Sequence, residues 1–160
     1  MNSNIKKSFS QLYKKPCWNI QQGIGSFITF EFGQPILYIG KIYKSRNKSK
    51  RLAYVHGEWH LWIYCCDWKY FRDNQLVAHS ESSRREIKKA ISDLNGQALL
   101  DVSLIEKNTV FQFDLGGKLE TYPSNMYDDK GVTQWYLYLP NKKVVSFNAN
   151  GKLAQESSGE

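Results

Sequence analysis

The sequence predicts an α+β protein that is mainly antiparallel β-sheet, with about nine or ten strands and one well-formed helix. Three observations predict this class. Short segments rich in aromatic and β-branched residues recur along the chain, turns containing Gly or Asn separate them, and only one long segment has clear helical periodicity. With 160 residues, the chain is expected to form a single domain, 1–160, with a core of normal size.

The N-terminal segment, residues 1–15, has a weak helical pattern formed by Ile5, Phe9, Leu12 and Tyr13. We expect a short helix there that packs on the sheet. Pro16 ends it, because a proline pushes the preceding residue out of the α region.

Three strands are predicted next. Residues 17–21 read as a short strand, and residues 26–32 alternate between two faces. Residues 35–42 read as a strand that returns after a tight turn at Gly33 and Gln34. We therefore expect 26–32 and 35–42 to form a hairpin.

Residues 41–51 contain six basic residues and no acidic residue. Because no apolar residue lies between Lys44 and Arg51, residues 43–50 are predicted to be a flexible surface loop. This stretch and the N-terminal segment hold 10 of the 22 basic residues and no acidic residue, so the rest of the chain, with 12 basic and 15 acidic residues, is nearly neutral or mildly acidic.

The densest apolar stretch covers residues 57–71 and contains three of the five tryptophans. Both parities of this stretch carry bulky side chains. We therefore predict a central strand that is covered on both sides, with Trp59 and Leu61 buried. Residues 75–79 read as another short strand.

Residues 84–94 are predicted to be the main helix. Ser83 and Glu86 have the spacing of a capping box, and Gly96 follows the last turn. One apolar stripe with helical spacing would pack on the sheet, and its members are Ile87, Ala90, Ile91 and Leu94.

Strands are predicted again after the helix, at 98–105, 109–115, 118–122, 134–139 and 142–148, and residues 155–160 are expected to be a frayed tail. The second half of the chain also echoes the first. Residues 30–33 align with 113–116, and residues 59–63 align with 135–139. This echo leads to the hypothesis of two similar β halves joined by the helix.

Several side chains are candidates for a metal site or an acid–base pair, but each also has a simpler structural interpretation. His56, Glu58 and His60 alternate and could hold zinc or iron, yet a partly buried histidine is the commoner outcome. Glu31 and Asp114 precede matching glycine turns, and they could act as an acid–base pair or accept backbone N–H bonds.

The three cysteines, Cys17, Cys65 and Cys66, have no disulfide framework and no zinc spacing, so we expect reduced thiols in a cytoplasmic protein. No apolar run reaches the roughly 18 residues of a transmembrane helix, and no membrane partner is expected. The glycines at 23 and 25 do not complete a phosphate-binding loop. We therefore expect no cofactor and no enzymatic activity.

A set of motifs gives a further indication: GIGSFITFEFG at 23–33, GEWHLWI at 57–63, LNGQ at 94–97 and FDLGGKL at 113–119. The set resembles a family of small uncharacterised bacterial proteins, and the resemblance covers about residues 15–151. It implies no catalytic residues. The chain is also similar in size and type to immunity proteins of bacterial toxin systems, including contact-dependent inhibition. That similarity implies a protein that binds and blocks a cognate toxin.

Two function classes follow. The first is a non-enzymatic module that binds a protein partner such as a toxin domain. The second is a nucleic-acid-binding module that uses residues 41–51 and the basic helix face. The first is favoured, because ordering a flexible loop on nucleic acid would cost about 1–2 kcal/mol per residue. The candidate binding residues are Lys44, Arg46, Lys48 and Lys50 in the basic stretch, and Arg84, Arg85 and Lys88 on the helix.

Overall fold

The computed structural model describes residues 2–127 and 131–158 as two antiparallel sheets that share one hydrophobic core, together with a separate two-stranded ribbon. The α+β class is confirmed, and the described residues form thirteen strands, more than the nine or ten expected. The elements are α1 Asn2–Phe9, β1 Cys17–Gln22, β2 Ile28–Phe32, β3 Ile36–Ser45, β4 Lys48–His56, β5 Trp59–Ile63, β6 Asp67–Arg72, β7 Gln75–His79, α2 Arg84–Leu94, β8 Leu99–Ile105, β9 Asn108–Phe113, β10 Gly117–Tyr122, β11 Thr133–Tyr138, β12 Lys143–Asn148 and β13 Leu153–Ser157.

The larger sheet has the order β1-β2-β5-β11-β12-β13, and the smaller sheet has the order β7-β6-β10-β9-β8. Core residues alternate with outward-facing residues along the central strands. In β5, for example, Trp59, Leu61 and Ile63 are buried, whereas His60 and Trp62 are partly exposed. This alternation is the period of two that a strand with one core face requires.

Two helices lie at the borders of the sheets. Helix α2 packs against β1 and β7, which are edge strands of different sheets, and α1 packs against the edge strand β8. From α1, the ring of Phe9 reaches Phe111 and Trp135, with ring centroids 5.7 and 5.5 Å apart. Since Phe111 and Trp135 belong to different sheets, Phe9 joins the N-terminal helix to both layers. The short N-terminal helix expected from the sequence is therefore present.

The predicted helix 84–94 is confirmed with the same bounds, and its capping box is complete. The Glu86 backbone N–H donates to Ser83 Oγ at 3.3 Å, and the Ser83 N–H donates to Glu86 Oε2 at 2.8 Å. The hydrogen bonds from Ser83 hold the pKa of the Glu86 carboxyl below its ordinary value. The four residues of the predicted apolar stripe are buried.

We expect Ser83→Ala to lower the free energy of unfolding by about 0.5–2 kcal/mol, because it leaves an N-terminal N–H of α2 without its acceptor. Urea unfolding followed by circular dichroism measures this loss. Ser92→Ala is the matched control: Ser92 is exposed in the same helix, where alanine is the better helix former. Equal midpoints for the two variants would contradict a role for the cap.

The prediction of one central strand over residues 57–71 is wrong. Residues 59–63 form β5 in the larger sheet, and residues 67–72 form β6 in the smaller sheet. The chain crosses between the sheets at a turn in which the Cys66 N–H donates to the Tyr64 carbonyl at 2.9 Å. Trp59 and Leu61 are buried as predicted, and Trp68 is buried in the second of the two strands.

The predicted hairpin of residues 26–32 with 35–42 is also wrong. Strand β2 pairs with β1 and β5, whereas β3 pairs with β4. The hypothesis of two β halves fails for a related reason. The echoing strands β5 and β11 are direct neighbours in one sheet, where Leu61 lies opposite Leu137. Each sheet therefore takes strands from both halves of the chain.

Two further expectations need correction. The predicted loop 43–50 is the outer part of the β3–β4 ribbon, in which Tyr43 pairs with Lys50 and Ser45 pairs with Lys48. Backbone pairing across the ribbon supplies the order that the side-chain pattern did not indicate. In the predicted tail 155–160, residues up to Ser157 belong to β13 and pair with β12, and residues 159–160 lie outside the described part.

Candidate functional site

The most exposed element of the described chain is the β3–β4 ribbon, residues 36–56, which we call the arm. It joins the end of β2 to the start of β5 and forms a two-stranded sheet of its own. Every residue of its two strands is exposed except Gly40 and His56, which are partly exposed. An isolated two-stranded ribbon is marginally stable in water. The arm is therefore expected to gain stability from contact with another surface.

Nine large apolar or aromatic side chains of the arm are between 42% and 62% exposed. A group of this size is unusual on a monomer surface and marks a site of interaction. The exposed side chains are Ile36, Leu37, Tyr38, Ile39, Ile42, Tyr43, Leu52, Tyr54 and Val55.

The two faces of the arm differ in chemistry. The strand register places an aliphatic set on one face, which we call the aliphatic face: Leu37, Ile39, Ile42, Ala53 and Val55. The cations Lys44 and Arg51 lie at the outer end of the same face. The other face, which we call the aromatic face, carries Ile36, Tyr38, Tyr43, Leu52, Tyr54 and His56. On the aromatic face the rings cover one another, because the Tyr38 and Tyr54 centroids are 5.0 Å apart and those of Tyr54 and His56 are 6.1 Å apart. The aliphatic side chains have no such ring cover.

The first four predicted binding residues lie in the outer half of the arm, which we call the tip. Lys44, Arg46, Lys48 and Lys50 are all exposed, and no ion pair recorded among the described residues includes them. Arg46 and Asn47 form the two-residue turn, with φ of 46° and 64°. Positive φ at both positions is the geometry of a type I′ turn, which matches the twist of the flanking strands. The tip is therefore an ordered cluster of cations.

The other predicted residues, Arg84, Arg85 and Lys88, are exposed on α2. That helix packs against β1 and β7, whereas the arm strands pair only with each other in the sheet topology. The nucleic-acid interpretation used the basic stretch and the basic helix face together. The structure places these residues on two separate elements.

A second candidate site lies on the outer face of the larger sheet, and the sequence reasoning missed it. Glu31 on β2 is buried, with one carboxylate oxygen 2.7 Å from His60 Nδ1 and the other accepting the Gly57 N–H at 2.8 Å. Because the carboxylate accepts, His60 Nδ1 donates in this contact. No sequence signal finds the pair, because it depends on the β2–β5 register, in which Glu31 lies opposite His60.

A groove of about 510 Å³ runs beside this pair. Its described lining is mostly aromatic or apolar: Gly23, Ile24, Phe27, Thr29, His60, Trp62 and Tyr64. Neither a serine nor a cysteine is among these lining residues, so the imidazole lacks the partner of a Ser–His or Cys–His nucleophile. Its aromatic walls pack on each other, with the ring centroids of Trp62 and Tyr64 4.5 Å apart.

Two of the alternating residues that suggested a metal site, His56 and Glu58, contact different backbone groups. His56 Nδ1 lies 2.7 Å from the Gly57 carbonyl, and Glu58 Oε2 accepts the Gln34 N–H at 2.8 Å. Within residues 2–127 and 131–158, no group of three or more His, Cys, Asp or Glu side chains is placed to hold a metal ion. The two carboxylates of the acid–base alternative, Glu31 and Asp114, also have separate partners, since Asp114 accepts the Ala98 N–H at 2.8 Å. Both carboxylates accept backbone N–H bonds, from other segments rather than from their own turns.

All three cysteines are free thiols. Burial raises the pKa of Cys17 to about 12, and it also raises the pKa of Cys66 well above its ordinary value. Both sulfurs therefore stay protonated near neutral pH, where a thiolate would be needed for nucleophilic attack. Their Sγ atoms instead lie 3.3 Å from backbone carbonyls, those of Leu94 and Gln134 respectively.

Comparison of the chain with protein-family models, with curated proteins and with solved structures finds no match. Neither helix of the described residues is long and apolar enough to cross a membrane. The arm has the largest group of exposed apolar side chains in the described chain, and residues 41–51 add six cations without an acid, so it is the strongest candidate for the functional site.

Proposed function

We propose that this protein is a non-enzymatic binding module that recognises a protein partner with the arm. The observation that carries this proposal is the combination of nine exposed apolar and aromatic side chains with a cationic tip on one ordered ribbon. The partner would present an apolar cleft with an acidic rim. A standard interface of about 1,200–2,000 Å² is within reach of an arm that is about 33 Å long.

The aromatic face and the tip supply the residue types that dominate recognition of a separate partner. Tyr and Arg are enriched among the side chains that contribute most to binding, and the aromatic face carries Tyr38, Tyr43 and Tyr54, with Arg46 at the turn. The cations would speed the encounter with an acidic partner. In its sharpest form, the function is that of a bacterial immunity protein whose arm blocks the active site of a cognate toxin.

Nucleic-acid binding is the second candidate, and one observation favours it. The preference for a protein partner rested partly on the cost of ordering a loop, and the tip is already ordered as a ribbon. A two-stranded ribbon also fits the major groove of duplex DNA. The aromatic face still favours a protein, because phosphates bound at the tip would leave its apolar side chains, Ile36 and Leu52, uncovered.

We expect one product of the reading frames next to this gene to bind the purified protein, and Tyr38→Ser with Tyr54→Ser to weaken that binding at least about tenfold. Calorimetric titration measures both affinities. Leu76→Ser with Leu115→Ser is the matched control, since these residues are 53% and 58% exposed outside the arm. Binding that survives the arm substitutions would contradict the proposal. If the product is toxic, co-expression growth assays would show protection by the wild type and loss of protection by the arm variant.

A fluorescence anisotropy titration with a labelled 20-base-pair duplex and the matching single strand tests the second candidate. Phosphate contacts would give a log–log salt slope of about −0.9 for each contact on duplex. Replacing Lys44, Arg46, Lys48 and Lys50 by Ser would then flatten the slope. Tight, salt-sensitive binding that this variant loses would put nucleic acid in first place.

A further inference from the structure

We infer that the aliphatic face of the arm is the contact surface of a symmetric dimer, and that its occupant is the aliphatic face of a second copy of this chain. The face carries Leu37, Ile39 and Ile42, which are 60–62% exposed, and Val55, which is 45% exposed. The register sets Leu37 opposite Val55 and Ile39 opposite Ala53, so these side chains form one continuous patch. This inference does not rest on the proposed function, since the dimer would form without any other partner.

The accessible surface area of the chain is larger than that of a typical monomer of the same mass, which indicates that another molecule covers part of it. Monomeric proteins of 18.6 kDa expose about 8,200 Å², whereas this chain exposes 9991 Å². We attribute the excess of about 1,800 Å² to the ribbon, whose strand residues are nearly all exposed. Covering one of the two faces would bury about half of this area, which is close to the roughly 800 Å² that each partner contributes to a standard interface.

The chemistry of the face favours a second copy over other occupants. The interfaces of permanent homodimers resemble a protein core, and aliphatic residues fill this face from Leu37 to Ile42. Its cations, Lys44 and Arg51, lie at the outer end, and the tyrosines lie on the aromatic face. A symmetric contact brings the same patch of both subunits together, so each group must tolerate its own copy. The aliphatic part of the face meets that condition, because methyl groups bring no charge and no donor that needs an acceptor.

The charges determine how the two arms would lie. Residues 41–51 carry six cations and no acid, so arms that ran in parallel would place the two tips side by side. A two-fold axis near Ile39 runs the arms antiparallel and keeps the tips at opposite ends. In this arrangement each tip and each aromatic face stay open to another partner.

Sedimentation velocity of the full chain at about 50 µM tests the inference, because a standard-sized interface reaches micromolar affinity or better. We expect a species of twice the chain mass. Leu37→Ser with Ile39→Ser should weaken the dimer about 100-fold, because four aliphatic side chains leave each interface. Tyr38→Ser with Tyr54→Ser, on the opposite face of the same strands, should leave the dimer intact. Circular dichroism of each variant checks that the body is folded.

A covalent readout keeps the inference testable if the double variant fails to fold. With Cys65 replaced by Ser, Ala53→Cys should form an intermolecular disulfide in air, since Ala53 lies near the proposed axis. Cys17 and Cys66 are buried and take no part. A monomer at about 50 µM, a dimer that survives Leu37→Ser with Ile39→Ser, or a failure of Ala53→Cys to cross-link would each overturn the inference. None of these outcomes bears on binding by the aromatic face, so the two proposals fail separately.

Discussion

Replacement of Trp135 by alanine is expected to lower the free energy of unfolding by about 3–5 kcal/mol, the range for a large aromatic residue deleted from a core. Trp135 is fully buried in β11. Its ring stacks on Phe147 at 5.7 Å, and its indole N–H donates to Thr109 Oγ1 in the other sheet at 2.9 Å. The substitution removes the hydrogen bond by which Trp135 joins the two sheets, and it leaves the buried Thr109 hydroxyl without a donor.

Urea unfolding followed by circular dichroism at 222 nm measures the loss, because this signal does not depend on the deleted indole. Trp135→Phe is the control that separates the two contributions. It keeps an aromatic ring beside Phe147 and loses the hydrogen bond, so we expect a smaller loss, of about 1–3 kcal/mol. A loss below about 1 kcal/mol for Trp135→Ala would be incompatible with a residue that joins the two sheets.

Gly57→Ala is expected to lower the free energy of unfolding by about 1–3 kcal/mol, the cost of forcing a methyl group into a packed site. A Cβ at Gly57 would meet the backbone N and O of Phe32, and backbone atoms have no rotamer by which to move away. Gly57 lies between the arm and β5, and its N–H donates to Glu31. The substitution would therefore also disturb the Glu31–His60 pair.

Gly23→Ala is the matched control for this substitution. A Cβ at Gly23 would meet only Phe27, at an ordinary contact distance of 3.5 Å or more. We expect a neutral or slightly stabilising effect, because alanine has fewer unfolded conformations than glycine. Thermal unfolding of the two variants side by side gives the comparison. If Gly57→Ala melts with Gly23→Ala and the wild type, the close approach of Gly57 to Phe32 is not a constraint on folding.

The candidate site was only partly predictable. The sequence identified the cations of the arm, because a run of basic residues without acids is visible in the order of residues alone. It did not identify the ribbon, since a strand with two exposed faces has no alternation of polar and apolar residues. The Arg46–Asn47 turn lacks the Asn-Gly or Asp-Gly signal of a two-residue hairpin. The Glu31–His60 pair was equally hidden, because 28 residues and the whole arm separate its members in the chain.

What the sequence determined by itself is local. Helix α2 was predicted residue for residue, because its cap at Ser83 and its apolar stripe act within a few residues of each other. Most strand segments were found for the same reason. Only the tertiary structure decided which strands pair, where residues 57–71 divide between the sheets, and that β3 and β4 leave the body as an arm. Pairing joins segments far apart in the chain, such as β5 with β11, and its energy comes from a shared core that no short window of sequence contains.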